Sequence, residues 1–145
     1  MNPMVSFMIP VYNGESLIRD SIESVINQPY ENIELIIMDD GSSDSTLQIC
    51  NDYALRDQRI KVYSHPNVGL GKNRNIGYEY LRGKWTVFLD HDDLVTPRFL
   101  TNEFVSFLDE CEKKDIEVIV PSRVCTNYDV SLGRIELVPV EGVYD

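Results

Sequence analysis

The chain has 145 residues, the size of one domain, and its 43% apolar and 26% charged fractions are ordinary for a globular protein. Its 24 acidic and 13 basic residues give a formal net charge of −11, which disfavours general binding to nucleic acid or anionic lipid. Three cysteines without CxxC spacing and only two histidines exclude a disulfide framework and a zinc-site pattern, so we expect a cytoplasmic protein.

We expect any contact with a membrane to be made by segments that lie outside this sequence. No apolar stretch approaches the length of a membrane span, and the first residues do not resemble a signal sequence. Any peripheral association with the inner face of the membrane would then come from segments that this chain lacks.

Apolar runs separated by turn residues predict five buried strands and a hairpin. The expected strands are 5–11, 33–38, 60–63, 85–89 and 116–120. Residues 122–140 are expected to form the hairpin, with Gly133 at its turn.

Segments with helical spacing alternate with these strands. The first helix is expected to have Asn13 as its N-cap and to end at 28–30, and the third to cover 72–81. Pro97 suits the first turn of a fourth helix that runs to about Cys111. The inward-facing residues expected are Leu17, Ile18, Ile22, Val25 and Ile26 in the first helix, and Leu47, Cys50, Tyr53 and Ala54 in the second. This alternation predicts one α/β domain over 1–145, with a mostly parallel sheet covered by helices.

Polar residues follow three of the predicted strands, at the sheet edge where open α/β sheets bind ligands. Pro10, Val11, Tyr12 and Asn13 lie at and just after the end of the first strand, where the Tyr12 ring is placed to stack on a base. An ordinary strand-to-helix turn would explain the same four residues.

The second group, residues 39–44, contains the adjacent carboxylates Asp39 and Asp40. One of them is suited to accept the imide N–H of a uracil or thymine ring. Helix capping by Ser43 or Asp44 explains part of this group but leaves the Asp39–Asp40 pair unexplained.

The third group is Asp90, His91, Asp92 and Asp93. Three carboxylates in four residues repel one another unless a cation or a donor lies between them, and Mg²⁺ or Mn²⁺ prefers such oxygen ligands. We interpret this group as a metal–nucleotide site, with a solvated acidic turn as the alternative. His91 is expected to contact backbone or neighbours, since a lone imidazole does not make a zinc site.

Four stretches together resemble glycosyltransferase family 2, whose members have the GT-A fold, a Rossmann-like three-layer sandwich. They are VSFMIPVYNGE, IELIIMDDGSSDST, NVGLGKNRNIG and KWTVFLDHDD, in that order within residues 5–100. The resemblance implies a transferase that moves a sugar from a UDP-sugar or dTDP-sugar donor to a saccharide or lipid-linked acceptor, with inversion and with Mg²⁺ or Mn²⁺.

The resemblance also implies site residues. Asp40 would read the base, Asp90 would face the ribose and the metal, Asp92 would bind the metal, and Asp93 would help to position this element. The other residues implied to contact the nucleotide sugar are Pro10, Val11, Tyr12, Glu15, Lys72, Arg74, Asn75 and His91.

The general base of the family is not recognisable in this sequence. Glu136, Glu141 and Asp145 are available acids, but none has a matching context. We therefore expect the chain to be truncated at its carboxyl end, with the base beyond residue 145. Two alternatives remain: a fragment that binds a nucleotide sugar without catalysis, and a haloacid-dehalogenase-like phosphotransferase, which also has an Asp-x-Asp element after a strand.

Overall fold

The computed structural model describes residues 4–114, 124–129 and 134–139. The chain divides into two compact units, Met1–Glu110 and Cys111–Asp145. That the whole chain is one domain stays a prediction.

The first unit contains a four-stranded parallel sheet. Its strands are β1 (Val5–Val11), β2 (Ile33–Asp39), β3 (Ile60–Ser64) and β4 (Trp85–Phe88), in the order β3-β2-β1-β4. Every residue of β1 and β2 is buried, so both faces of these central strands are covered. The α/β class and the parallel sheet are therefore confirmed.

Four helices alternate with these strands: α1 (Ile18–Ile26), α2 (Thr46–Ala54), α3 (Leu70–Tyr78) and α4 (Asn102–Lys113). α3 packs on one face of β1 and β2, where Met8, Ile36 and Met38 form a fully buried cluster. Alternate strand residues face opposite sides of a sheet, which places Phe7 and Ile9 on the other face. Among the described residues, no helix is long and apolar enough to cross a membrane.

The start of the first helix was predicted wrongly. Asn13 does not cap α1: its φ is 50°, and its Oδ1 accepts a hydrogen bond of 2.8 Å from the backbone N–H of Ser43. The backbone N–H groups of Leu17 and Ile18 both donate to the Gly14 carbonyl, forming a turn before the helix. Leu17, expected to face inward, is consequently 45% exposed.

The fourth helix begins five residues later than predicted. Arg98 has a φ of 66°, which interrupts helical geometry directly after Pro97. The backbone N–H of Leu100 donates to Gln28 Oε1 rather than within a helix. The α4 helix then starts at Asn102.

The remaining boundaries differ by a few residues. The third helix covers Leu70–Tyr78 rather than 72–81, and the fourth strand ends at Phe88. In α2, Cys50 is buried as expected, but Leu47, Tyr53 and Ala54 are only partly buried. Thr46 and Ile49 are the buried residues that the expected inward face lacked.

The second unit contains a two-stranded antiparallel sheet of β5 (Val124–Asp129) and β6 (Arg134–Pro139). These strands confirm the predicted hairpin. The predicted strand at 116–120 and the expected turn at Gly133 lie outside the described residues.

Candidate functional site

A cleft of about 520 Å³ lies where β1, β2 and β4 end. Because these strands are parallel, their carboxyl ends meet at one edge of the sheet. The cleft therefore collects residues from all three polar groups of the sequence. Its lining residues are Pro10, Val11, Tyr12, Asp40, Asn67, Gly69, Leu70, Asn73, Asp90, His91 and Asp92.

The turn after β1 presents an aromatic ring to this cleft. Tyr12 is 49% exposed, whereas Val11 beneath it is buried. The Val11 carbonyl accepts a hydrogen bond of 2.8 Å from the backbone N–H of Asp40, which ties the ends of β1 and β2 together. Beyond Tyr12, the backbone N–H of Gly14 donates to Thr46 Oγ1 at 2.8 Å, so the turn is fixed on both sides of the ring.

The two carboxylates that end β2 have different surroundings. Asp39 is fully buried, and its oxygens accept hydrogen bonds from the backbone N–H of Ser42 and from the Ser64 hydroxyl. Asp40 lines the cleft although only 3% of it is exposed. Asp39 therefore holds the loop together, whereas Asp40 faces the space where a ligand would bind.

Asp40 also fixes the loop between β3 and α3. Its Oδ1 accepts from the backbone N–H of Val68 at 2.8 Å, and its Oδ2 accepts from that of Gly69 at 2.9 Å. Gly69 has a φ of 85°, a backbone conformation that residues other than glycine rarely adopt. Each carboxylate oxygen has more than one acceptor site, so both can still accept a hydrogen bond from a ligand.

A polar pair lies behind Asp40. His65 Nδ1 lies 3.6 Å from Asp40 Oδ1, and His65 Nε2 lies 3.0 Å from Asn73 Oδ1. The buried Asn73 amide in turn donates to the Met38 carbonyl at 2.8 Å. Asn73 thus links α3 to the end of β2 beside the cleft.

The acidic segment after β4 carries a second set of carboxylates. Asp90 forms an ion pair with Arg74 of α3, and its carbonyl accepts a hydrogen bond from the backbone N–H of Asp93 at 3.0 Å. Asp92 is exposed at the cleft, and within residues 4–114 no ion pair involves it. The carboxylates of Asp90 and Asp92 therefore differ: the first is partly neutralised, and the second is available.

This donor set fits a hard divalent cation only in part. The described residues contain no group of three or more His, Cys, Asp or Glu side chains arranged to hold a metal. Mg²⁺ is commonly held by one or two carboxylates together with substrate phosphates and water. Asp92, with Asp90, matches that requirement, so the fit is to a metal that arrives with a phosphate ligand.

Four of the residues expected to contact the nucleotide sugar do not line the cleft. Lys72 and Asn75 are exposed on α3 outside the cleft lining. Glu15 instead accepts a hydrogen bond from the backbone N–H of Ser45 at 2.9 Å and lines a separate groove beside α1 and α2. Arg74 reaches the site indirectly through Asp90.

Four lining residues were not among those expected from the sequence: Asn67, Gly69, Leu70 and Asn73. All four lie in the NVGLGKNRNIG stretch, from which the sequence interpretation selected Lys72, Arg74 and Asn75 instead. Gly69, in the loop that leads into the predicted helix at 72–81, was the available signal, because glycine at such a position lets backbone N–H groups approach a carboxylate or a ligand.

Asp44 supports the site from the start of α2. Its carboxylate accepts hydrogen bonds from the Thr46 hydroxyl and from the backbone N–H groups of Thr46 and Glu15. Burial raises the pKa of this carboxyl, but these hydrogen bonds together outweigh it and leave the pKa below its ordinary value. Asp44 therefore satisfies the N–H of the first residue of α2, while Ser45 at the N-cap position makes no side-chain capping bond.

Comparison with known proteins gives consistent relatives. The model of "Glycosyl transferase family 2" matches residues 6–137. The chain is 45% identical over 97 residues to the putative glycosyltransferase EpsH of Bacillus subtilis (strain 168), covering 67% of this chain and 28% of EpsH. It is 35% identical over 139 residues to the uncharacterized glycosyltransferase EpsJ of the same organism, covering 96% of this chain and 38% of EpsJ.

Solved structures share the fold. S. aureus TarS 1-349 in complex with UDP-GlcNAc matches with a TM-score of 0.67 and 31% identity, over 74% of this chain and 32% of that one. This match confirms the GT-A fold expected from the sequence. The chain spans about a third of the length of these relatives. With the family model matching most of its residues, the chain belongs to glycosyl transferase family 2.

Proposed function

We propose that this chain forms the donor-binding part of a glycosyltransferase that uses a UDP-sugar or dTDP-sugar. The observation that carries the proposal is that Tyr12, Asp40 and Asp92 line one cleft at the carboxyl ends of three parallel strands. These three groups offer, in turn, an aromatic surface, a hydrogen-bond acceptor and a carboxylate that has no ion-pair partner within residues 4–114.

Asp40 supports recognition of a pyrimidine with an imide. Uracil and thymine present an N–H donor between two carbonyls, and a carboxylate held by two backbone N–H groups is a fixed acceptor for it. Guanine also has a ring N–H, but its larger bicyclic ring and neighbouring amino group need a different arrangement. We therefore propose that Asp40 selects uracil or thymine while the Tyr12 ring stacks on the base.

The diphosphate would lie between α3 and the acidic segment. Gly69 and Leu70, at the N-terminus of α3, line the cleft, and N–H groups at a helix N-terminus favour phosphate oxygens. Asp92 and Asp90 would hold Mg²⁺ or Mn²⁺, which neutralises the charge of the departing diphosphate. Arg74 would keep Asp90 oriented through their ion pair.

The proposed reaction is an inverting transfer. An acceptor hydroxyl, from a saccharide or a lipid-linked sugar, loses its proton to a carboxylate base and attacks the anomeric carbon in line with the leaving diphosphate. None of the acids in the described part of the chain is assigned as this base. Crystallisation of S. aureus TarS with UDP-GlcNAc supports a uridine donor.

A thermal-shift titration with UDP, dTDP, GDP and CDP, each in Mn²⁺ and in EDTA, tests this proposal. A ligand that binds only the folded state adds about 2.7 kcal/mol of stability at a hundred times its dissociation constant. We expect shifts with UDP and dTDP that need Mn²⁺. An equal shift with GDP would contradict the role of Asp40, and stabilisation by fluoroberyllate but by no nucleotide would instead indicate a phosphotransferase.

A further inference from the structure

We propose that Ser21 of α1 is a positioning residue for the metal-binding carboxylate of Asp92. This inference rests on the proposed function, since it concerns how the donor site is held in shape. It assigns a role in the site to a face of α1 that does not line the cleft.

Ser21 holds the backbone on both sides of Asp92. Its hydroxyl lies 2.6 Å from the His91 carbonyl oxygen and 2.8 Å from the Asp93 carbonyl oxygen, so its one hydrogen is shared between the two. Ser21 is fully buried, which strengthens the preference for this arrangement because water cannot replace the hydroxyl. Asp92 is the residue between these two carbonyls, so its backbone is fixed from both ends.

Two further polar side chains, on α1 and just after it, hold the segment that follows Asp93. Ser24 Oγ accepts from the backbone N–H of Val95 at 3.2 Å. Gln28 donates to the Thr96 carbonyl at 3.1 Å and accepts from the backbone N–H of Leu100 at 2.8 Å. Ser21 and Ser24 are three residues apart and so lie on one side of α1, and Gln28 follows just after the end of that helix. They hold residues 91–100, a segment without regular secondary structure, against α1.

A second contact fixes the same segment at His91. A Cβ atom added to Gly14 would lie 2.6 Å from His91 Cδ2, so the imidazole packs directly against the backbone of the turn before α1. Backbone atoms of 91 and 93 and the ring of His91 are thus all held by residues of the α1 region.

Asp92 depends on this support because its own side chain has little. Within residues 4–114, its carboxylate takes part in no ion pair, whereas Asp90 is held by Arg74. The direction of the Asp92 carboxylate is therefore set by its backbone. Loss of the Ser21 hydroxyl would free the peptide groups at 91–93 and let the carboxylate move away from the cation.

The test compares UDP affinity with and without Mn²⁺ in four proteins. Calorimetric titration of the wild type, Ser21→Ala, Ser6→Ala and Asp92→Asn gives, for each, the factor by which Mn²⁺ tightens UDP binding. We expect Ser21→Ala to reduce this factor about tenfold, the lower end of what loss of outer-shell support costs a metal site. Its affinity for UDP in EDTA should stay within about twofold, since Tyr12 and Asp40 do not depend on Ser21.

Ser6→Ala is the matched control. Ser6 is also a fully buried serine, and its hydroxyl bonds Glu34 and the backbone N–H of Gly83 at the opposite end of β1. Its loss should lower the melting temperature without changing the Mn²⁺ factor. Asp92→Asn should abolish most of the factor. Ser21→Cys keeps the side-chain volume with a weaker donor, so it replaces Ser21→Ala if that variant does not fold.

The outcomes separate the two proposals. If Mn²⁺ does not change the UDP affinity of the wild type, the proposal of a metal-dependent donor site is itself contradicted. A wild type with a strong Mn²⁺ factor that Ser21→Ala retains contradicts the positioning role alone. Equal losses in Mn²⁺ and in EDTA would show that Ser21 supports only folding, and would also overturn the inference.

Discussion

At the scale of single residues, the candidate site depends on how Asp39 and Asp40 differ. They are adjacent in sequence, yet Asp39 accepts hydrogen bonds from Ser42 and Ser64 inside the fold, whereas Asp40 faces the cleft. Successive side chains of a strand point to opposite faces of the sheet, so Asp39 and Asp40 at the end of β2 lie in different environments. Asp39 therefore bonds only within the fold, whereas Asp40 both fixes the loop before α3 and faces the cleft.

Replacing Asp40 tests its role directly. Asp40→Asn keeps the shape, but its amide NH₂ would face the backbone N–H of Val68 or Gly69. We expect UDP affinity to fall by about tenfold or more, because a charged acceptor becomes a mismatched neutral group. Calorimetric titration with UDP and with GDP measures the change. The exposed Asp20→Asn on α1 is the control and should leave both affinities unchanged.

Sequence alone identified the lining residues that carry distinctive chemistry. Tyr12, Asp40, Asp90 and Asp92 all line the cleft, because strand ends are readable from apolar runs and parallel strands bring their ends together. Asn73 was not predicted, since its position depends on hydrogen bonds to Met38 and His65 that no local pattern reveals. Lys72 and Asn75 are near in sequence but lie on exposed parts of α3.

At the scale of elements, α3 approaches the sheet through a glycine. A Cβ atom at Gly77 would lie 2.7 Å from Met38 Cγ and 2.9 Å from Met8 Cε. Met38 Cγ is close to its backbone and cannot move aside easily, so the helix and the buried cluster would have to separate. The close packing of α3, which carries Arg74 and Asn73 to the site, therefore needs a residue without a side chain at this position.

Two glycines of α3 provide a matched pair. We expect Gly77→Ala to lower the free energy of unfolding by about 1–3 kcal/mol through overpacking. Gly71→Ala should raise it by about 0.5–1 kcal/mol, because nothing lies within 4 Å of the new Cβ and alanine favours a helix. Urea unfolding of both variants measures these values. Equal effects of the two substitutions would contradict the packing described for Gly77.

The amino-terminal ends of β1 and β2 are joined by a buried carboxylate. Glu34 accepts hydrogen bonds from the Ser6 hydroxyl at 2.6 Å and from the backbone N–H groups of Arg82 and Gly83. Burial opposes ionisation of Glu34, but these hydrogen bonds and the charge of Arg82 outweigh it, so its pKa lies below the ordinary 4.5. The ionised form is therefore the one that the fold stabilises.

This lowered pKa predicts acid sensitivity with a definite sign. The contribution of Glu34 to stability should be complete above pH 4.5, its ordinary pKa, and should be lost as pH falls through the lower pKa of the folded state. At neutral pH, Glu34→Gln should cost about 1–3 kcal/mol, because partners of a buried charge are left mismatched. Urea unfolding across this pH range should show the difference between the two proteins shrinking with acidity. A difference that grows would contradict the assignment.

The starts of two helices could not be predicted from the sequence. The starts of α1 and α4 were predicted from Asn13 and Pro97, both suitable N-terminal residues. In the fold, Asn13 instead bonds the loop after β2, and residues near Pro97 are held by Gln28, just after α1. Contacts over dozens of residues decided both starts, and a local pattern does not contain them.

At the scale of the whole molecule, parallel strand order explains why three separate motifs become one site. β1 lies between β2 and β4, so the turns after these strands are neighbours although about 80 residues of sequence separate the first from the last. α1 then supports the acidic segment from behind through Ser21, and α3 supports Asp90 through Arg74. The site is a property of the sheet edge rather than of any one loop.

Hydrogen exchange with UDP and Mn²⁺ tests the central claim, that this edge binds the donor nucleotide, most directly. We expect slower exchange in peptides that contain 10–13, 67–70 and 90–93, which line or adjoin the cleft, because bound ligand shields and orders these loops. Exchange at 45–52, along the separate groove beside α1 and α2, should stay unchanged. Protection confined to that groove, or no protection at the three cleft segments under saturating UDP, would contradict the account.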